Sequence, residues 1–442
     1  MVAAGQNAVG DAPPKQAALA PTLIPTPSKP EISPNFGDFI VLVDDHTVSE
    51  NTTFYAQSLP YMFTSRESGS DAPGFVNNGT LWHTGDDAHV IYSMALGPIT
   101  NNGLMVAEAP GLDANTIEIW SSFSGLVNTG EIYALAVEYF AVGVKDWSPG
   151  GDIVNSGLIA ARSLRPEDEF GNPFPTARGV YRFNGGHLYN MATGKILAEG
   201  QAAIAVVVER GHVDFDRPDI KNAGLIEARS LNPDILSVGL SLASLDSERM
   251  IVLNSGTIRS DIAISAAAYS EVFVQQGEKS ITNLASGLID GAISLSLYNE
   301  ILINHGQISG DIAMAEGSDL VMNFGNVTGR VYLGDGSDIW LASAGRLQGT
   351  VFGGDGSDIL FGSDGVDRLN GEAGADVIHG GAGADQLNGG ADADIFVYDH
   401  VRDSSAAAFD TITSFATGID RIDLTALAVQ SVSFQPSAGY TL

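Results

Sequence analysis

Gly353-Gly354-Asp355-Gly356-Ser357-Asp358-Ile359-Leu360-Phe361 is the first of five nine-residue units that run without a gap to residue 397. Position 1 is Gly in every unit (Gly353, Gly362, Gly371, Gly380, Gly389), and position 4 is Gly in four (Gly356, Gly365, Gly374, Gly383). Position 6 is an unbroken Asp column: Asp358, Asp367, Asp376, Asp385 and Asp394. Position 8 is apolar throughout: Leu360, Leu369, Ile378, Leu387 and Phe396. A short fixed period marks a solenoid, in which each unit stacks on its neighbours. The glycines allow a tight loop, and the apolar residue points inward from a short strand.

The pattern begins before residue 353. Gly334-Asp335-Gly336-Ser337-Asp338-Ile339-Trp340-Leu341 is already one such half-turn, and Gly317-Ser318-Asp319-Leu320-Val321 sits in the same column. Asp319, Asp338, Asp358, Asp376 and Asp394 are spaced 19, 20, 18 and 18 residues apart. They are expected along one edge of a continuous solenoid.

A looser repeat runs further upstream. Asn77, Asn101, Asn128, Asn155, Asn222, Asn254, Asn304 and Asn323 each lie two residues before a Gly, with weaker copies at Gly194, Gly287 and Gly345. Two residues after each of these eleven glycines stands an apolar residue: Leu81, Met105, Ile132, Ile159, Ile196, Ile226, Ile258, Ile289, Ile308, Val327 or Leu347. Asn and Gly suit a tight corner, and stacked Asn side chains can bond as a ladder. The glycine spacings are 24, 27, 27, 37, 30, 32, 31, 19, 19 and 20 residues. The early turns have room for protruding loops, and the last three approach the 18 residues of two nonapeptides.

The nonapeptides resemble the RTX (repeats-in-toxin) family, whose units build a calcium-binding parallel β-roll. The fold expected is all-β: a parallel β-helix, right-handed on family precedent, continuous with a C-terminal β-roll. Calcium takes about six to eight oxygen ligands. The resemblance implies about four ions between successive turns, held by Asp338, Asp358, Asp376 and Asp394 on one side and by Asp367 and Asp385 on the other; Asp319 with Asp338 is a further candidate pair that is less like the family pattern. The loop positions are Gly336, Gly353, Gly356, Gly362, Gly365, Gly371, Gly374, Gly380 and Gly383. Ser363 and Glu372 depart from Gly at position 2, and Asp392 at position 4. The last turn is therefore expected to bind weakly or to act as a cap.

After the repeats, Asp410-Thr411-Ile412-Thr413-Ser414-Phe415 and Gly418-Ile419-Asp420-Arg421-Ile422-Asp423-Leu424 resemble the segment that follows the repeats in serralysin-like proteins. There it is an uncleaved signal for type I export, which implies an extracellular or cell-surface location. An ordinary cap on the solenoid explains the same residues, and both readings can hold. Residues 1–37 carry seven prolines among Ala, Ser and Thr and read as an extended arm, either an attachment or a tail without a role. They lack the basic head and apolar stretch of a Sec-type signal. The divisions expected are thus 1–37 (arm), 38–332 (β-helix), 333–397 (β-roll) and 398–442 (cap and export segment).

Composition narrows the partners. The 442 residues carry 53 acidic and 21 basic side chains, a formal charge of −32, which disfavours nucleic acid. There is no Cys, so metal is the available staple for an extracellular chain. No apolar run approaches the roughly 18 residues of a spanning helix.

Enzymatic signatures are sparse. The sequence contains no His-Glu-x-x-His, no Gly-x-Ser-x-Gly, and no Asp-Pro-His-Glu of the mannuronan epimerases whose layout it resembles. Ten of the 21 basic residues fall in 145–229, with Tyr181, Arg182, His187 and His212 as candidate catalytic groups. Such a region suits an acidic polysaccharide, with Arg on a uronate and Tyr or His moving the proton. Eleven acidic residues in the same stretch leave it near neutral, as a salt-bridged surface would be. Asp214, Asp216 and Asp219 equally suit another cation site. The leading expectation is a non-catalytic surface or matrix protein engaged in adhesion, surface-layer assembly or glycan binding, with self-association. The alternative is a polysaccharide lyase or epimerase.

Overall fold

The computed structural model describes residues 24, 27–28, 40–41, 46–50, 52–57, 61–64 and 74–427, apart from 124, 148–149, 165–176, 184–185, 210–217, 244–248, 267–276 and 343. Almost all of the expected N-terminal arm lies outside these residues. Among them the regular structure is β-strand, arranged in a 26-stranded and a 16-stranded sheet. The 16-stranded sheet is one column of short strands. The larger sheet contains two columns that share a few long strands.

One coil shows the plan. Leu126–Asn128 lies in the smaller sheet, Glu131–Ala136 in the first column of the larger sheet, and Ala141–Asp146 in the second. Each strand pairs in parallel with the equivalent strands of the coils before and after it. The chain therefore climbs a three-walled parallel β-helix, as the all-β reading requires.

The registers follow the sequence pattern. Leu81, Met105, Ile132, Ile159, Ile196, Ile226 and Ile258 stand opposite one another in consecutive strands. Ile289, Ile308, Val327 and Leu347 continue the row. All but Leu347 are buried. A second row, Ile99, Leu126, Ile153, Leu188 and Ile220, fills the core from the smaller sheet. Full burial of one such side chain contributes about 1.5–3 kcal/mol.

The corner between these walls is pinned by a ladder of amides. Asn77 Nδ2 donates to Asn101 Oδ1 (2.8 Å), Asn101 to Asn128 (2.8 Å), Asn128 to Asn155 (2.8 Å) and Asn155 to Asn190 (2.9 Å). Asn190 donates to Asn222 (2.8 Å), Asn222 to Asn254 (2.9 Å), and Asn254 to Asn283 (2.8 Å). Asn283 donates to Asn304 and Asn304 to Asn323, both at 2.8 Å. Asn190 and Asn283 were hidden in the sequence by two extra residues before Gly194 and Gly287. All ten side chains are buried, so each bond forms where an unpaired amide would be costly.

The helix changes section at residue 348. The wall carrying the Gly+2 residues ends with Arg346–Gln348. In the next coil the chain passes from Ile359–Phe361 to Arg368–Ala373, and the latter strand pairs with Val351–Asp355 of the other column. From there each coil has two walls, with Leu360, Ile378 and Phe396 buried on one and Leu369 and Leu387 on the other. The smaller sheet crosses this seam unbroken, through Leu320–Asn323, Ile339–Leu341, Ile359–Phe361 and Val377–His379.

Candidate metal centre

The position-6 aspartates stack by a bond that links each turn to the next. Asp338 N–H donates to Asp358 Oδ1 (2.8 Å), Asp358 N–H to Asp376 Oδ1 (2.9 Å), and Asp376 N–H to Asp394 Oδ1 (3.1 Å). On the opposite edge Asp367 N–H donates to Asp385 Oδ1 (2.9 Å). Each of these six carboxylates is at most 2% exposed. One oxygen of each pair is thus satisfied by backbone.

The other oxygen is not. Oδ2 of Asp338, Asp358, Asp376, Asp385 and Asp394 is buried without a hydrogen-bond partner. A buried unpaired carboxylate oxygen is expensive, and its natural complement is a cation. Burial pushes the carboxyls up, against the opposing pull of the backbone N–H: Asp338 and Asp358 to about 6, Asp376 and Asp385 to about 7. Asp367 and Asp394 are raised for the same reason.

The position-1 glycines make room for these oxygens. A Cβ at Gly353 would lie 2.3 Å from Asp358 Oδ2, one at Gly371 2.0 Å from Asp376 Oδ2, and one at Gly380 2.4 Å from Asp385 Oδ2. At Gly362 the same atom would meet Gly380 O at 2.2 Å. At position 4 the backbone turns left-handed, with φ of 146° at Gly336, 142° at Gly356, 128° at Gly374 and 156° at Gly383. Among the described residues no three acidic or imidazole side chains converge on a metal-sized site. A cation here would take single carboxylates from adjacent turns and complete its shell with backbone carbonyls.

The departures from the motif separate into two kinds. Glu372 (φ 78°) and Asp392 (φ 75°) keep the left-handed backbone of the glycines they replace. That conformation costs a non-glycine about 1–2 kcal/mol. Ser363 behaves differently. Its N–H and its hydroxyl both donate to Asp367 Oδ2, at 2.7 and 2.8 Å. Its loop has no left-handed residue, and Gly365 takes an ordinary backbone conformation. Asp367 therefore has its second oxygen occupied from within its own half-turn.

Both ladders extend beyond the nonapeptides. Asp385 N–H donates to Asp410 Oδ1 (3.0 Å) and Asp394 N–H to Asp420 Oδ1 (3.1 Å). Thr411–Thr413 pairs with residues 386–388, and Arg421–Asp423 with Ile395–Val397. The segment read as an export signal thus stacks as a further turn of both walls. Asp410 and Asp420 stood in its motif, but only the register reveals them as rungs. Upstream, Asp319 N–H donates to Asp338 Oδ1 (2.7 Å), and Glu300 N–H to Asp319 Oδ1 (2.6 Å).

Among the described candidates, Arg182 and His187 meet at one corner and Tyr181 points away from them. Tyr181 and Arg182 are neighbours on the strand Ala177–Arg182, so their side chains leave on opposite sides. The Tyr181 hydroxyl donates to Glu209 Oε2 (2.8 Å), and its ring packs edge-on to Trp147. Arg182 is buried at a corner, where it donates to His187 O (2.9 Å) and Gly151 O (2.6 Å) and pairs with Asp146 Oδ2 (3.1 Å). His187 Nδ1 lies 2.9 Å from Asp152 Oδ1, and its ring is buried. His212, Asp214 and Asp216 lie outside the described residues. Asp219 Oδ2 accepts from Ile251 N–H (2.7 Å).

Residues 259–437 match the family described as Peptidase M10 serralysin C terminal. The match spans the last three-walled coils, the seam, the two-walled turns and the terminal rungs. The match supports a serralysin-like, RTX-type repeat segment in this part of the chain, and repeats of that type imply a calcium-binding β-roll. No curated protein and no solved structure matches the chain.

Proposed function

We propose that the chain is an exported calcium-binding solenoid that folds outside the cell and acts at the cell surface or in the extracellular matrix. The observation that carries this reading is the row of buried, unpartnered Oδ2 atoms of Asp338, Asp358, Asp376 and Asp394, one per turn along one edge, with that of Asp385 on the opposite edge. Asp338, Asp358, Asp376, Asp394 and Asp385 would hold calcium with the carbonyls of their loops, and Asp367 would join by its remaining oxygen. When bound, the ions supply the positive charge that the stacked carboxylates lack.

The energetics suit a switch. At calcium about tenfold above a site's dissociation constant, one ion adds roughly 1.4 kcal/mol, and four add about 6 kcal/mol. That is comparable with the net stability of a domain. Calcium is scarce inside cells, so the repeats stay open before export and close after it. The serralysin-like segment around 410–424 would direct type I export as well as cap the roll.

Adhesion, surface-layer assembly and glycan binding are the roles that suit a long stackable rod. Acidic polysaccharide or surface glycan and further copies of the chain are its partners in this reading. The strongly acidic composition argues against nucleic acid. The separation of Tyr181 from Arg182 and His187, and their engagement with internal partners, favour a non-catalytic role over a lyase or epimerase.

The test is calcium titration of the chelated protein, followed by circular dichroism and sedimentation. Calcium should restore β signal lost on chelation and produce ordered assemblies. Chelator-insensitive β structure would refute the switch, and a calcium-loaded chain that stays monomeric would refute the assembly role. Incubation with alginate or pectate should yield no unsaturated product.

A further inference from the structure

The column of acidic residues does not stop where the glycine-rich motif stops. Residues 314–319 read Met-Ala-Glu-Gly-Ser-Asp, without Gly at positions 1 and 2. Their backbone nevertheless follows the loop of the clear repeats. φ is 83° at Ala315 and 141° at Gly317, against 112° and 146° at Gly334 and Gly336, and 111° and 142° at Gly354 and Gly356. The loop contacts repeat as well. Gly317 N–H donates to Asp335 O (2.8 Å), as Gly336 N–H donates to Asp355 O (2.7 Å). An alanine held left-handed is strained by about 1–2 kcal/mol, and strain of this kind gathers at ligand sites.

The second observation is chemical. Asp319 is 2% exposed, its Oδ1 accepts from Glu300 N–H, and its Oδ2 is buried without a partner. Asp338, one turn on, has its own unpartnered Oδ2. Two orphaned carboxylate oxygens thus lie on consecutive turns whose loops share one shape.

One turn further upstream the arrangement ends. No residue of 295–300 has a left-handed φ. Glu300 takes the column position, and the Ser280–Ile301 register places Lys279 opposite it. Lys279 is fully buried, and its ammonium donates to Gly277 O. A lysine charge fixed in the protein stands beyond Glu300, in the column that the aspartates occupy downstream.

We propose that the half-turns 314–319 and 333–338 hold one more calcium ion, with Asp319 and Asp338 as its carboxylate ligands, and that Lys279 ends the cation ladder. This rests on the calcium reading given above. The coils before Lys279 then need no metal, and those after Glu300 do.

The experiment counts ions on the full chain by native mass spectrometry and calorimetry, in the parent and in Asp319→Asn. Asn keeps an oxygen for the Glu300 N–H, so the backbone bond survives. The variant should bind one calcium fewer than the parent, with the other ions retained. An equal count in both overturns the proposal while leaving the downstream sites intact. A parent that binds no calcium overturns the calcium reading itself. If the variant does not fold, a crystal structure of the calcium-loaded parent decides. An ion about 2.3–2.6 Å from Asp319 and Asp338 oxygens is expected, and an empty loop pair beside filled downstream sites refutes it.

Discussion

Replacing Asn155 by Ala tests whether the amide ladder acts as one connected element. Three bonds disappear: Asn128 Nδ2 to Asn155 Oδ1, Asn155 Nδ2 to Asn190 Oδ1, and Asn155 Nδ2 to Lys195 O. At about 1 kcal/mol each, with roughly 1.5 kcal/mol more for the stranded Asn190 Oδ1, the cost is about 4.5 kcal/mol. Asn190→Ala loses its bonds with Asn155, Asn222 and Leu225 O and strands Asn222 Oδ1, at a similar cost. The double variant loses five bonds rather than six, because the 155–190 bond is shared. It also strands one acceptor instead of two. It should therefore cost about 6.5 kcal/mol, roughly 2.5 below the sum of the singles. Urea unfolding followed by circular dichroism in saturating calcium measures all three variants. Asn102→Ala is the control, since Asn102 forms its own bond to Asn78 at 2.8 Å but on the exposed surface. Strict additivity of the two buried substitutions would refute the ladder as a coupled unit. A cost at Asn102 equal to that at Asn155 would refute burial as its source.

In chelator, the two-walled region should lose stability as pH rises from about 4 to 7. Asp358, Asp376 and Asp385 are raised in the fold to about 6, 7 and 7, so the stability they contribute is complete below the unfolded value and lost through the folded one. With calcium present the slope should reverse, because protons compete with the metal; thermal melts across pH in both conditions check this. Gly371→Ala places a Cβ 2.0 Å from Asp376 Oδ2 and should lower affinity for the ion at Asp376 at least tenfold, as read by calorimetry. An unchanged isotherm would show that Asp376 Oδ2 is not a ligand.

Much of this architecture was legible because its signals are periodic. The eleven Gly+2 residues named in the sequence stand in one row of the structure. The aspartates from Asp319 to Asp394 stand in another, at the spacings read. The row of Asn side chains was only partly visible. Asn190-Met191-Ala192-Thr193-Gly194 and Asn283-Leu284-Ala285-Ser286-Gly287 carry two extra residues in the corner, which break the spacing but leave the amide in place. The loss of a wall after Gln348 leaves almost no trace in a coil-length count, because 19–20 residues in three walls and 18 in two differ so little. The different behaviour of Ser363 depended on a side chain turning back on its own loop. The capture of Arg182 by two carbonyls depended on a corner formed by distant segments. Neither has a period to reveal it.

The change from three walls to two also has a mechanical consequence. A three-walled prism resists bending about every transverse axis, since material lies away from the centre in all directions. A two-walled ribbon is stiff along the width of its sheets and compliant across their thickness. Among the described coils the compliant section is therefore the one beyond residue 348, and it yields in one direction. Ions seated along both edges of that ribbon would act as clamps between successive rungs, so ambient calcium would set how strongly the terminus resists a sideways pull.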